Sequence, residues 1–512
     1  VHSIRGRAAL AALALLWGAA CAGPRAVADW RMADRTADVE TDQRGEGDAD
    51  TPGPDGVVDD YDNAQGDLVP AVNGNISTKF PENGRYEVVL DGCGSEGATR
   101  YLWFVDGDAP LESSECETRV RLTEGRHELA LTVWDSDGGS DTTQLAAEVR
   151  DLIVVGLGDS FSAGSGDSRS GLVAADYDLA RCTRSGRSGQ ARAALEMERR
   201  DPKTSVSFIH LACGGARADR GLLGAHNNQP PQLLELSEIL PPGQAVDFVS
   251  FTIGGNDIRF SELIEQLIVE PDAPLSDLDG EPMHGRTQRL LLELRERMAR
   301  VAACFGDGFE GRPCEVVGPS GRDDDTQVVM LRPIPLAARN RVVQVTYPDL
   351  ATHFVEGGRI EICPRGAVER PGDLLDGLPD GLVNGRPPSE RPPIISGSEW
   401  AWGDAALLQP GDPAPNDAQP ASYDYVPEAG GAPVPLPLLN TLNSLVMESA
   451  PRFGWTSSAR WWQDSRGHGY CSPEPDNYFF RSIFHPRDSG YGAKQRGLVA
   501  EAERLGVVPA AR

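Results

Sequence analysis

The chain changes its hydrophobic rhythm more than once. Over residues 71–149, short runs such as "RYEVVLDG", "TRYLWFVDG", "TRVRLTEG" and "HELALTVWDSDGG" alternate apolar with polar positions and break at Gly/Asp turns. A period of two with turns at this spacing predicts a small all-β sandwich. From Asp151 the pattern becomes block-like. β-rich apolar runs at Leu152–Val155, Val206–Leu211, Asp247–Ile253 and Arg341–Thr346 read as buried strands. Between them, Gly189–Arg199 and Thr287–Ala303 carry apolar residues at three- and four-residue spacing and read as amphipathic helices. Strand and helix in alternation predict an α/β fold, a doubly wound parallel sheet with helices on both faces, over 150–512. The stretch 364–437, crowded with Pro, Gly and Asp, reads as an insertion in that domain.

Two N-terminal segments fall outside either rhythm. Arg5 and Arg7 precede the apolar run Ala8–Trp17 and a tail of small residues, so 1–28 reads as an export signal. Two exits are open: cleavage after Ala28 in Ala26-Val27-Ala28, or a lipoprotein signal in which "GAAC" makes Cys21 a lipidated first residue. Either route implies a secreted or lipid-anchored protein at a bacterial cell surface. Residues 29–70 are acidic, rich in Gly and Pro, and read as a disordered linker. Within it, Asp55–Asp67 ("DGVVDDYDNAQGD") carries oxygen ligands at spacings that resemble one partial calcium repeat, although such spacing is common in solvated linkers.

Charge narrows the partners. The 512 residues hold 48 Lys+Arg against 77 Asp+Glu, a net charge of −29 at pH 7, which repels phosphate backbones and excludes nucleic acid. Setting Cys21 aside leaves eight of the nine cysteines, an even number that suits disulfides in an exported chain. None forms a C-x-x-C pair, which argues against zinc, and the chemistry read here needs no metal or other cofactor. Cys93 and Cys116 are alone in the sandwich segment and are expected to pair.

Candidate chemistry gathers at the ends of the predicted strands. "LIVVGLGDSFSAGSGD" ends its apolar run in glycines and delivers Ser160. "LACGGARA" delivers Gly215, "FTIGGNDIRF" delivers Asn256, and "SIFHPRDSGYGA" near the chain's end delivers His485. Strand ends on one edge of a parallel sheet converge. Acyl transfer needs such a set. A serine hydroxyl is a weak nucleophile until a base removes its proton, and an imidazole titrates near neutrality. The main-chain N–H groups of Ser160 and Gly215, with the Asn256 amide, would supply three donors to a developing oxyanion. The bland alternatives are a turn serine, a turn-capping asparagine, and His468 in "RGHGYC" as a rival base. Asp159 reads as a brace for the nucleophile loop, and Trp461-Trp462 as packing or pocket wall.

In this order, "GDSFSAGSG", "ACGGA", "IGGND" and "FHP" resemble the blocks of the SGNH, or GDSL, hydrolase superfamily. "RCTRSGRSGQARAALE" at Arg181 and "NRVVQVTYPDL" at Asn340 are similar to its secreted bacterial esterases and lipases. The resemblance covers about 150–360 and 438–500. It implies a flavodoxin-like sheet, with Ser160 as nucleophile, Gly215 and Asn256 completing the oxyanion hole, and His485 as base. It also implies disulfides Cys182–Cys213, Cys304–Cys314 and Cys363–Cys471. The G-x-S-x-G elbow of other hydrolases is absent, since Ser162 stands at the second glycine. The family often places an acid three residues before the histidine, where this chain has Ser482. The expectation is that the Ser482 backbone carbonyl orients His485, with Asp464 and Asp488 as the other carboxylates to weigh. The "YLWFVDG … LTVWDSDGG" pattern resembles a PKD-type, immunoglobulin-like domain.

The resulting expectation is a monomeric, exported serine ester hydrolase acting on lipid or short-chain esters through an acyl-enzyme. An O-acetyl esterase acting on acetylated glycan is the nearest alternative. A different class of answer is a surface adhesin, with the sandwich binding a glycan or protein ligand and the α/β domain inert.

Overall fold

The computed structural model describes residues 23–33, 80, 84–166, 182–259, 283–319, 326–348, 352–354, 360–362, 438–469, 472 and 485–510. Residues 1–22 of the expected export signal, with Cys21, the run Asp55–Asp67, the insertion 364–437, the pair Cys363–Cys471 and Ser482 lie outside them. Residues 23–28 of that segment are described and join the first unit, the Ala26 N–H donating to the Asp141 carboxylate at 2.9 Å. The chain divides into two compact units: Val1–Asp34 with Phe80–Asp151 and Asp201–Ser205, and the remainder.

The first unit contains two antiparallel sheets. One is built from β1 (Asp29–Met32), β2 (Arg85–Asp91) and β5 (Glu117–Thr123), in that order. The other runs β7-β6-β3-β4, from β3 (Arg100–Val105), β4 (Leu111–Ser113), β6 (Gly125–Trp134) and the start of β7 (Ser140–Gly158). Alternation does what a sheet with one wet face requires. Along β6, His127, Leu129, Leu131 and Val133 are buried while the residues between them are at least partly exposed. Leu129, Leu131 and Val133 meet Trp30, Met32, Tyr86, Val88 and Leu90 of the first sheet around a fully buried Trp103. Cys93 and Cys116 are disulfide-bonded.

The structure corrects the sequence reading at the start of this unit. Residues 29–32, assigned above to the acidic linker, form β1 in register with Val88–Asp91. The reason is a four-residue alternation, Asp29-Trp30-Arg31-Met32, which puts Trp30 and Met32 on the buried face. The acidic composition downstream conceals it.

β7 runs unbroken through the expected domain boundary at 149/150. Ser140–Val149 pair antiparallel with β6, and Val154–Gly158 pair parallel with β9. Its burial changes accordingly, from partial alternation up to Arg150 to continuous burial over Asp151–Gly158, the mark of a strand covered on both faces.

In the second unit the rest of β7 joins β8 (Thr204–His210), β9 (Phe248–Thr252), β12 (Val342–Val345) and β15 (Thr456–Ser458) in the order β8-β7-β9-β12-β15. The β7/β9, β9/β12 and β12/β15 pairs are parallel. The helices are α1 (Ser160–Ala163), α2 (Gly189–Arg200), α3 (Gln232–Ile239), α4 (Met283–Ala303), α5 (Leu438–Arg452), α6 (Arg460–Ser465) and α7 (Asp488–Arg504). Two antiparallel hairpins complete the unit: β10 (Cys314–Pro319) with β11 (Thr326–Leu331), and β13 (Thr352–Phe354) with β14 (Ile360–Ile362). The disulfides Cys182–Cys213 and Cys304–Cys314 are present. Among the described residues, no helix is long and apolar enough to cross a membrane.

Candidate active site

The strand ends are tied to one another by backbone. The Cys213 N–H donates to the Gly158 carbonyl at 3.0 Å, joining the ends of β8 and β7. The Asp159 N–H donates to the Thr252 carbonyl at 3.1 Å, joining β7 to β9. Gln232 holds Gly158 from both sides, its amide donating to the carbonyl at 2.9 Å and accepting from the N–H at 2.8 Å. Glycine is required at 158. Its φ is +116°, and a Cβ there would lie 2.3 Å from the Thr252 carbonyl oxygen.

Ser160 opens α1, whose N-cap is Asp159; the cap carboxylate accepts from the Phe161 N–H at 3.1 Å. A carboxylate at a helix start is favoured by the orphan N–H groups there. Ser160 is half-buried. Ser162, two residues on, is fully buried, and its hydroxyl is consumed by Thr252 Oγ1 at 2.7 Å, the Thr252 N–H at 2.9 Å and the Gln190 amide at 3.3 Å. The two serines therefore differ: the Ser162 hydroxyl is locked in the interior, whereas Ser160 is half-buried at the helix start.

The remaining sequence-selected positions sit on the same edge. Gly215 follows β8 with φ +79°. Asn256 follows β9, and its amide donates to the Ala216 carbonyl at 3.0 Å, which fixes it beside the Gly215 loop. The His485 ring stacks on that of Phe161, with centroids 4.8 Å apart and 27° between planes. Phe161 is also edge-on to Tyr347 and Trp461. The start of α7, just after His485, is pinned by Tyr491 Oη to the Ser165 carbonyl at 2.8 Å and by Trp461 Nε1 to the Gly490 carbonyl at 3.0 Å. Thus Ser160, Gly215, Asn256 and His485 are linked through their immediate neighbours.

His468 lies edge-on to Phe354. Asp464 pairs with Arg496 at 3.7 Å. Trp461 and Trp462 are buried and serve packing.

Several residues that the sequence did not single out form the support. Tyr347 Oη donates to the Asp159 carboxylate and accepts from the Gly255 N–H at 2.8 Å, so one phenol connects the N-cap to the Gly-Gly-Asn turn. Asp159 takes a further bond from Thr252 Oγ1 at 2.9 Å. Lys494, fully buried on α7, donates to the Phe161 carbonyl at 2.8 Å and lies 4.6 Å from the Trp461 ring centre. Burial pushes the Asp159 carboxyl up to about 6 against its hydrogen bonds, and pulls the Lys494 ammonium down to about 7 against the attraction of Asp159. Asp257 accepts from the Ala218 N–H at 3.0 Å and from Arg297 at 3.0 Å, and burial raises it to about 6. It braces the far end of the Gly215 loop. Tyr347 lies inside a motif quoted above. Asp257 also lies inside a quoted motif, as the last residue of "IGGND", and Lys494 directly follows another, yet nothing in the local pattern distinguishes them.

No family model and no curated protein matches this chain. Among solved structures it is similar to a family two carbohydrate esterase from Clostridium thermocellum in complex with cellohexaose, at 12% identity over 83% of this chain and 93% of that one, with a TM-score of 0.27. It is also similar to a carbohydrate esterase whose active site is described as having divergent catalytic and non-catalytic binding functions, at 15% identity over 43% and 69%, with a TM-score of 0.20. Likeness this loose decides neither fold nor activity, and the functional reading rests on the site's own residues.

Proposed function

We propose that this chain is an exported serine ester hydrolase of the SGNH type, working through an acyl-enzyme on Ser160. The observation that carries the reading is the gathering at one sheet edge of a half-buried Ser160 at a helix start, the Gly215 loop, Asn256 and, against Phe161, His485. Among the described residues, the N–H groups of Ser160 and Gly215 have no protein acceptor. Such unspent donors are what an oxyanion requires. The strand order β8-β7-β9-β12-β15 supports a flavodoxin-like sheet, and the two-sheet first unit supports an Ig-like, PKD-type module. Three disulfides support export.

In the proposed reaction His485 takes the Ser160 proton as Oγ attacks the ester carbonyl carbon. Charge moves to the carbonyl oxygen, where the Ser160 and Gly215 N–H groups and the Asn256 amide stabilise it. His485 then passes the proton to the leaving alcohol, and a water activated by the same imidazole releases the acid. The Ser482 carbonyl is proposed to hold the other ring nitrogen. The pairing of Asp464 with Arg496 supports a dyad over a triad built on that carboxylate. Lipid and short-chain esters are the proposed substrates, with acetylated glycans next.

A fluorophosphonate probe followed by peptide mapping tests the assignment. Labelling at Ser160, lost together with p-nitrophenyl ester turnover in Ser160→Ala at an unchanged Tm, is expected. Labelling at a different serine would refute it, and a folded chain inert to probe and esters would favour the adhesin.

A further inference from the structure

His226 has no part in the chemistry above, yet it packs directly over Gly215. A Cβ at 215 would lie 3.1 Å from His226 Nε2. Nε2 is 2.8 Å from the Gly214 carbonyl oxygen, and the Asn227 amide donates to the same oxygen at 3.1 Å. The Gly214 N–H, meanwhile, donates to the Cys182 carbonyl at 2.7 Å.

We propose that His226 and Asn227 clamp the Gly214 carbonyl so that the Gly215 N–H on the same peptide stays aimed into the oxyanion site. The inference rests on the ester-hydrolase reading of that site. A peptide unit is planar, with its C=O and N–H pointing in opposite directions. Whatever holds the oxygen end therefore aims the hydrogen end. Here the peptide joins two glycines, and with no side chain on either residue the steric cost of rotating it by half a turn is small. Such a flip would present a carbonyl oxygen, in place of a donor, to a developing negative charge. Two donors on the Gly214 oxygen oppose it. They also polarise the peptide, which strengthens its N–H as a donor.

The clamp is itself well held. The His226 N–H donates to the Gln229 carbonyl at 3.1 Å and the Gln229 N–H returns to the His226 carbonyl at 2.9 Å, closing a tight turn. Its central residues, Asn227 and Asn228, have φ of +51° and +56°, a region asparagine tolerates better than most residues. Donation from Nε2 leaves the lone pair of the neutral ring on Nδ1. Burial lowers the basicity of His226, with Arg220 and Arg217 adding to the effect against the Gly214 bond. The bond itself needs only the Nε2 hydrogen.

The test compares His226→Leu, which fills space without donating, His226→Gln, whose amide can replace the Nε2 donor, and Asn227→Gly, which keeps the backbone angle and loses the second donor. Steady-state kinetics on a p-nitrophenyl ester are read together with Tm and fluorophosphonate labelling of Ser160. His226→Leu is expected to lower kcat by roughly 10–100-fold with KM nearly unchanged, the pattern of lost transition-state stabilisation. His226→Gln should recover most of that loss, and Asn227→Gly should show a smaller fall of the same type. Folded His226→Leu with wild-type kcat, or a loss that Gln does not relieve, overturns the clamp. If His226→Leu does not fold, a wild-type kcat in Asn227→Gly overturns it. Wild-type protein that hydrolyses esters and labels at Ser160 shows that such a failure belongs to the clamp alone; absence of that label refutes both readings.

Discussion

The two units treat buried polarity in opposite ways. In the sandwich the cluster around Trp103 is apolar, and its few buried ionisable groups, His127 and Asp151, lie beside that cluster rather than in it. Arg31 reaches Glu117 at 2.8 Å, and His127 sits between Asp106 at 2.7 Å and the Thr123 carbonyl at 2.8 Å. In the α/β unit, Asp159, Ser162, Gln190, Thr252, Asp257 and Lys494 are all buried, clustered around the ends of β7 and β9. Burying such groups is costly unless each finds partners. A sheet that only has to persist avoids that cost. Under the proposed reaction, a sheet edge that has to present particular N–H groups and one hydroxyl incurs it, because only hydrogen bonds fix direction.

If that contrast is right, damage to the two units should appear in different measurements. The largest effect on stability is expected in the sandwich. Trp103→Ala should cost about 3–5 kcal/mol, as for other buried aromatic truncations, while ester turnover per folded molecule stays near wild type. Denaturant titration followed by kinetics of the native fraction would check this. A fall in turnover equal to that of a site variant would break the contrast.

At the strand ends Asn256→Ala should lower kcat by roughly 10²–10³ with KM little changed, the usual loss of one preorganised donor. A merely structural Asn256 would instead lower the yield of folded protein and leave kcat intact.

Asp257 sharpens the comparison through pH. Its folded-state pKa is raised to about 6 by burial, so the folded chain binds this proton more tightly than the unfolded chain does. The contribution to stability is fully present below about pH 4 and is lost as pH rises through about 6, on the order of 3 kcal/mol across that window. Asp257→Asn should flatten this part of the pH–stability curve. Asp159, raised in the same range, is common to both proteins and cancels in the difference. An unaltered slope would mean that Asp257 is ionised throughout.

The smallest effect concerns the carboxylate nearest to a triad role. Asp464 is partly exposed and engaged with Arg496, so Asp464→Asn should change kcat by no more than a few-fold. A loss on the order of 10⁴, as when a triad carboxylate is removed, would replace the proposed dyad with a triad.

Much of this molecule was legible along the chain. Apolar runs located β7, β8, β9 and β12, and the glycines that close them marked where the backbone must turn sharply. The reading of residues 29–32 as linker failed because four alternating residues are too short a signal beside an acidic composition. What the sequence by itself determined is which residues are buried and which chemistry-bearing side chains stand at strand ends, since both follow from local periodicity and turn preference. Only the tertiary structure decided which polar atoms meet. Tyr347 reaches Asp159 across 188 residues and Lys494 reaches Phe161 across 333, while His226 settles on Gly214 through a turn with no periodic signature. Periodicity is a property of neighbours, whereas a hydrogen bond depends on distance and angle between groups that the folded chain alone brings together.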